Sequence, residues 1–408
     1  MAQHPFLKSI RPVNLLSFGP DTKEIELKPL NILIGPNGSG KSNLIEILGL
    51  LKSLTEKKPW AHVTKTGGVK EWIWKDAKRP VSSNTPSKST IDSVSTVFSD
   101  AEMEYEYQIN LATYDWSTTF SIEKEEIQPR AIQPEILEPH KAISRENERV
   151  IYWPLEKTGS NSDGLNFQHA QVTDQTSILS LPLGIAGANA LAHDLFQRIA
   201  LYRDWTFGIG SIPRTLEQVG KETTYLEEDS NNLAHVLNFI LTHQDPEPAR
   251  KLREAFGKFS GDAKDVETRI QEGFVQLRVR ESSGISIPAI RLSDGALRWL
   301  ALLAILLNPV PPPVTCIDEP ELGLHPDILP TLADLLVEAS RRTQLIVTTH
   351  SSALVDAFSD DPESVCVCEK VDGSTVIRRL ARERLEVWLK DYSLGHLWAS
   401  GEIGGNRW

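Results

Sequence analysis

The turn Gly35-Pro36-Asn37-Gly38-Ser39-Gly40-Lys41-Ser42 constrains this chain more than any other stretch. It fits the pattern G-x-x-x-x-G-K-[ST], in which glycines let a tight loop aim its backbone N–H groups inward at phosphate oxygens. Leu30–Ile34, before the turn, is a short apolar run that reads as a buried strand. Ser42–Leu54, after it, carries Leu44, Ile47, Leu48 and Leu51 at helical spacing. Strand, glycine-rich turn and helix in that order open an α/β unit and point the positive end of a helix dipole at the same anion. Asn37, Gly38, Ser39, Gly40 and Asn43 are expected to line the phosphates of ATP. Lys41 would then meet the β- and γ-phosphates, with the Ser42 hydroxyl on Mg²⁺.

Val314-Thr315-Cys316-Ile317-Asp318-Glu319 is an apolar strand that ends in two acids. A carboxylate at that end can reach the magnesium held by Ser42, which assigns Asp318 as the second metal ligand. Glu319 is then placed to polarise the attacking water as general base. Leu345-Ile346-Val347-Thr348-Thr349-His350-Ser351 is another apolar strand, and it ends in histidine. A lone histidine there is ordinarily a satisfied structural residue.

Between these landmarks the pattern is mixed. Lys75–Asp92 is rich in Ser, Thr and Pro and reads as loop. Met103, Tyr105, Tyr107, Ile109 and Leu111 alternate with polar residues, which marks an antiparallel strand with one wet face. Ile122–Tyr152 holds several prolines and a mixed charge run and reads as an exposed excursion, extending to about residue 165. Ala190–Trp205 is helix-like, and Asn231-Asn232 can cap a helix carrying Leu233, Val236, Leu237 and Ile240. Val275, Leu277 and Val279 alternate as a strand. A helix through Leu307 and another over Asp327–Arg341 then flank the acidic strand.

Composition narrows the class. The longest apolar run, Trp299–Leu307, is too short to cross a bilayer, and Met1–Ile10 has no secretory apolar core. Three cysteines cannot form a disulfide framework, so a reduced, cytoplasmic protein is expected. Cys366-Val367-Cys368 lies in a strand-like run, where packing competes with metal binding. A net charge of −12 weighs against nucleic-acid binding, although a local basic groove is compatible with it. Trp60, Trp72 and Trp74, with the Arg407-Trp408 end, either pack the protein or form a stacking surface for nucleic acid.

Leu292-Ser293-Asp294-Gly295-Ala296-Leu297-Arg298 resembles the signature of the ABC ATPase superfamily, in an L-S-D-G form instead of the transporters' L-S-G-G-Q. Glu321-Leu322-Gly323-Leu324-His325-Pro326 is similar to the D-loop, and His350 resembles the switch histidine that contacts the γ-phosphate. Phosphate loop (Walker A), signature, acidic strand (Walker B), D-loop and histidine occur in the family's order, though no Q-loop glutamine can be assigned. The resemblance implies an ABC-type P-loop head with a mixed sheet, an antiparallel β-subdomain and an inserted helical lid. Its parts would be residues 1–74 (head, Walker A), 75–180 (antiparallel β-rich part and excursion), 181–272 (helical lid) and 273–408 (remainder of the head). It also implies ATP hydrolysis by a homodimer in which Ser293, Asp294 and Gly295 of one copy cap the nucleotide on the other, with Glu319, His350 and Lys41 as catalytic residues.

Phe18, Glu227–Ala234 and Gly401–Trp408 are similar to stand-alone relatives of RecF and of the overcoming-lysogenization-defect (OLD) ATPases. The residues after His350 are too few for the Toprim nuclease domain of OLD proteins. A separately encoded effector, nuclease or toxin, is therefore expected as partner in an anti-phage or toxin-like system. The alternatives are a RecF-like DNA-repair ATPase that holds nucleic acid and, fitting worse, a transporter subunit. Long coiled-coil arms are not expected, because sustained heptads are missing between the phosphate loop and the signature.

Overall fold

Short, apolar, β-branched segments make up the central sheet, as expected of strands covered on both faces. A computed structural model describes residues 6–75, 92–99, 103–113, 119–130, 143–146, 148–152, 168–181, 188–203, 205–221 and 224–405. The strands run in the order Ile199–Tyr202, Val314–Asp318, Gln344–Thr348, Leu30–Ile34, Val365–Val371 and Ser374–Arg379. The first five are parallel, and the last pairs antiparallel at the edge. Side chains alternate between two cores. Ile32, Ile34, Ile317, Leu345 and Val347 face one, while Leu33, Val314, Cys316, Ile346, Cys366 and Cys368 face the other. The three cysteines are thus free, buried packing residues, and no metal-ligand cluster of three or more His, Cys, Asp or Glu occurs among the described residues.

Asp294–Leu306 is the central helix of the first core, and every side chain from Ala296 to Leu306 is buried. Leu329–Ala339 packs beside it. The phosphate-loop helix, Lys41–Ser53, belongs to the second core, together with Trp60 and Trp72. Those two tryptophans are interior residues, and the Trp74 indole donates to the Gly373 carbonyl (3.3 Å). The stacking-surface reading therefore fails for Trp60 and Trp72. Arg407-Trp408, and the expected loop from residue 76 to 91, lie outside the described residues.

The second core is closed by an eight-stranded antiparallel sheet, which includes Phe6–Val13, Asp92–Ser99, Glu104–Ala112 and Ser121–Arg130. Here one expectation is corrected. The described parts of Ile122–Tyr152 are not a loop excursion: Ser121–Arg130, Ile143–Glu146 and Arg149–Tyr152 are consecutive strands of that sheet, while residues 131–142, 147 and 153–165 are outside the description. Its charges misled because several are buried. Glu125 accepts from Tyr107 Oη (2.7 Å), Ser177 Oγ (2.5 Å) and Ile178 N (2.9 Å), with the Arg145 guanidinium 4.0 Å away.

The helix expected over Ala190–Trp205 is also corrected. Ala188–Gln197 is helical, but Ile199–Tyr202 is the edge strand of the head sheet, paired with Val314–Ile317. Tertiary pairing of a fully buried apolar run overrides its helical surroundings. Helices Leu233–Thr242 and Glu247–Phe259 pack against a small antiparallel sheet built on Ala263–Gln271 and Phe274–Glu281. The 181–272 segment is therefore more mixed than a purely helical lid.

Candidate nucleotide site

The carboxyl ends of the parallel strands carry the candidate residues. Register places Asp318 opposite Thr348, and Thr348 opposite Leu33 on the phosphate-loop strand. The acidic, histidine and phosphate-loop strands thus end side by side. At such an edge open α/β sheets bind ligands.

Two glycines of the loop are fixed by close approach. A Cβ at Gly35 (φ 147°) would lie 2.2 Å from the Cys368 carbonyl, and one at Gly40 (φ 103°) 2.1 Å from Thr375 Oγ1. Thr375 braces the loop from beneath, donating to Ser39 O (2.8 Å) with Ser17 Oγ also within hydrogen-bond distance of its hydroxyl (2.7 Å), while Asn43 Nδ2 donates to Ser17 Oγ (2.7 Å). Asn37 and Gly38 are exposed at the tip, and Ser42 is exposed beyond the buried Ser39 and Lys41. The helix beginning at Lys41 has no side-chain cap and no acid in its first turn, so its N-terminal N–H groups offer an anion site.

Lys41 is only 5% exposed, and its Nζ donates to the Gly35 (2.7 Å) and Pro36 (3.2 Å) carbonyls. Burial pushes its pKa down, opposed by the nearby Cys368, Glu319, Asp318 and Glu321. A buried ammonium held by carbonyls alone fits an arriving phosphate.

Asp318 accepts from the Thr348 hydroxyl, which fixes the carboxylate at the strand end. A carboxylate here and the exposed Ser42 hydroxyl are hard oxygen donors of the kind that suits Mg²⁺. Glu319 sits in a left-handed conformation (φ 47°), with its N–H on Thr348 O (3.2 Å) and Thr348 Oγ1 (3.1 Å). Its carboxylate lies 3.4 Å from His350 Nε2. Burial and the Lys41 charge lower the pKa of His350 against the pull of Glu319, so the imidazole is neutral near pH 7. Glu321 anchors the histidine loop, accepting from Thr349 Oγ1 (2.6 Å) and His350 N (2.9 Å).

Ser293 and Asp294 are exposed. Ser293 caps the central helix, accepting from Ala296 N (3.1 Å), so its own hydrogen remains to be donated outward. A Cβ at Gly295 would meet the Gly323 carbonyl at 3.0 Å, which brings the signature against the D-loop.

Two arginines complete the arrangement. Arg298, five positions after Ser293, is 9% exposed and donates to the Glu319 carbonyl (2.9 Å). Its guanidinium lies 5.0 Å from the centroid of the Trp205 ring, whose Nε1 donates to the Asp318 carbonyl (3.4 Å). A lone arginine in an otherwise apolar helix was the available signal for it. Arg214, which the sequence did not single out, clamps the signature turn from a distant segment.

A glycine-rich phosphate loop inside a parallel sheet, flanked by acidic and histidine strands, with a serine-capped helix packed in the core beneath that sheet, defines an ABC-type ATPase head. Solved heads share the fold. The Smc head domain with an extended coiled coil, from Pyrococcus furiosus and bound to the C-terminal domain of ScpA, is 15% identical over 95% of this chain and 99% of its own, with a TM-score of 0.52. An SmcHead bound to the C-winged helix domain of ScpA is 15% identical over 93% of this chain and 99% of its own, with a TM-score of 0.50. Unlike a head with coiled-coil arms, this chain has no helix longer than 13 residues among the described residues.

The profile of the family described as "AAA domain, putative AbiEii toxin, Type IV TA system" matches residues 30–150 and 207–356, and the chain belongs to that family. Comparison with curated proteins gives no significant match.

Proposed function

We propose that two copies of this chain close around two ATP–Mg²⁺ and reopen on hydrolysis, acting as a nucleotide switch. The observation that carries this reading is an exposed signature turn that can serve as one half of a shared site. Buried Lys41 feels the charges of Glu319, Asp318 and Glu321, and Ser293, its hydroxyl hydrogen uncommitted, is exposed with Asp294 at the N-terminus of the central helix. Neither half surrounds a γ-phosphate alone, so nucleotide favours the closed pair.

In that pair the loop N–H groups and Lys41 bind the triphosphate, and Ser42 and Asp318 would hold Mg²⁺, which neutralises charge developing on the phosphates. Glu319 accepts a proton from the attacking water, neutral His350 orients the γ-phosphate, and Ser293 with Gly295 of the second copy donate to it. The Glu319→Gln variant is expected to lose on the order of a hundredfold in turnover or more, to keep its ATP affinity, and to accumulate as closed dimers in gel filtration. Normal turnover by this variant would remove Glu319 as the base.

The family description, with its toxin and Type IV TA system, supports placing the switch in a toxin-like or anti-phage system in the cytoplasm. There it would hold or release a separately encoded nuclease or toxin, as a stand-alone relative of the OLD and RecF group. Purification from the native host would recover that effector. A chain that purifies with no neighbour's product, with or without ATP, counts against the role.

A further inference from the structure

The signature carries an acid where a phosphate is to be received. Asp294 stands one residue from Ser293, with 70% of its side chain exposed. A bare carboxylate there repels a triphosphate arriving on a second copy. Arg214 answers this charge. Its guanidinium pairs with Asp294 Oδ1, donates through Nη1 to the Leu292 carbonyl (2.6 Å) and through Nε to the Phe207 carbonyl (2.6 Å). Weaker contacts reach the carbonyls of Ile290 (3.4 Å) and Ala289 (3.5 Å). Groups on both sides of Ser293 are thus held by one side chain, which is itself 9% exposed.

We propose that Arg214 is the positioning residue that makes the acidic signature compatible with a phosphate: it neutralises Asp294 and fixes the Leu292–Asp294 turn so that Ser293 can donate to the nucleotide bound by the partner copy. This deepens the shared-site reading and rests on it. Arg214 has no bond to the phosphate-loop elements of its own chain among the described residues, so its effect falls on closure of the pair and not on the first binding of ATP.

The test uses the full chain carrying Glu319→Gln as parent, with Arg214→Gln, Asp294→Asn and both together added to it. Sedimentation velocity with ATP–Mg²⁺ measures dimerisation, and a fluorescent ATP analogue measures nucleotide affinity of dilute monomer. Unmasking one carboxylate beside each triphosphate costs on the order of tenfold per site at low salt. With two sites per dimer that is about a hundredfold in the dimerisation constant, and it shrinks as salt rises. Arg214→Gln is therefore expected to weaken ATP-driven dimerisation by that amount while leaving the monomer's nucleotide affinity unchanged. Adding Asp294→Asn restores most of the loss. Asp294→Asn alone, which leaves the Arg214 charge unopposed, dimerises at least as tightly as the parent, and this arm holds even if Arg214→Gln folds poorly.

The proposal is overturned if Arg214→Gln dimerises like its parent, if Asp294→Asn fails to restore it, or if Asp294→Asn alone weakens the dimer. A parent that stays monomeric with ATP removes the shared site itself. A dimerising parent with an unimpaired Arg214→Gln removes only the role of Arg214.

Discussion

Replacing Arg298 with alanine tests how Glu319, the proposed base, is held. Glu319 occupies a left-handed backbone conformation (φ 47°), which costs a non-glycine residue roughly 1–2 kcal/mol. Thr348 holds the Glu319 N–H from one side, while Arg298 holds its carbonyl and the Trp205 indole the preceding one from the other. A buried hydrogen bond from a charged donor contributes about 1.5–3 kcal/mol, and a partly buried guanidinium over an indole about 0.5–2 kcal/mol. If about 2 kcal/mol of that restraint is expressed only in the hydrolytic transition state, kcat falls about thirtyfold.

Arg298→Ala is therefore expected to retain ATP affinity, since Lys41 and the loop are untouched, and to lose turnover in a steady-state phosphate-release assay. Arg298→Lys, which keeps a charge but not the planar stack, should recover part of it. An alanine variant with full turnover would show that the Arg298 contact has no part in placing Glu319.

Three further outcomes follow. Gly40→Ala places a methyl 2.1 Å from Thr375 Oγ1 at a φ of 103°. It should raise the ATP dissociation constant by on the order of a hundredfold or more, from about 3 kcal/mol of strain and lost hydrogen bonds, as read by isothermal titration. Burial raises Glu217 to about 7 from 4.5, opposed by its bond from Ala234 N. A pKa raised in the fold gives stability that is complete below pH 4.5 and lost as pH rises through about 7, worth about 3 kcal/mol in all. Glu217→Gln should flatten that decline in denaturant titrations, and an unchanged slope would place the charge elsewhere. Finally, filter binding at low salt with ATP should retain no duplex DNA, in keeping with the net charge of −12; saturable retention would instead favour a RecF-like role.

Much of the site was readable because its chemistry is local in sequence. The phosphate loop needs its glycines within one turn, and the acids and His350 sit at the ends of runs too apolar to be anything but buried strands. What escaped is non-local. Arg214 meets Leu292 and Asp294 across a long stretch of chain, and no spacing rule marks a donor whose acceptors are mostly carbonyls. The strands within Ile122–Tyr152 were hidden by Glu125 and Arg145, which look solvated in sequence but are buried and bonded in the sheet. Ile199–Tyr202 continues a helical pattern and becomes a strand only because Val314–Ile317 is there to pair with it.

The central claim is that Lys41 and Ser293 serve one nucleotide from two chains. Mixing a Lys41→Ala variant with a Ser293→Ala variant tests it most directly, because neither homodimer has a complete site while the mixed dimer has one. The account predicts that ATP hydrolysis, nearly absent from each variant alone, returns on mixing to about a quarter of the wild-type rate for random pairing of an isologous dimer. A mixture no more active than its two components, beside an active wild type, would contradict it.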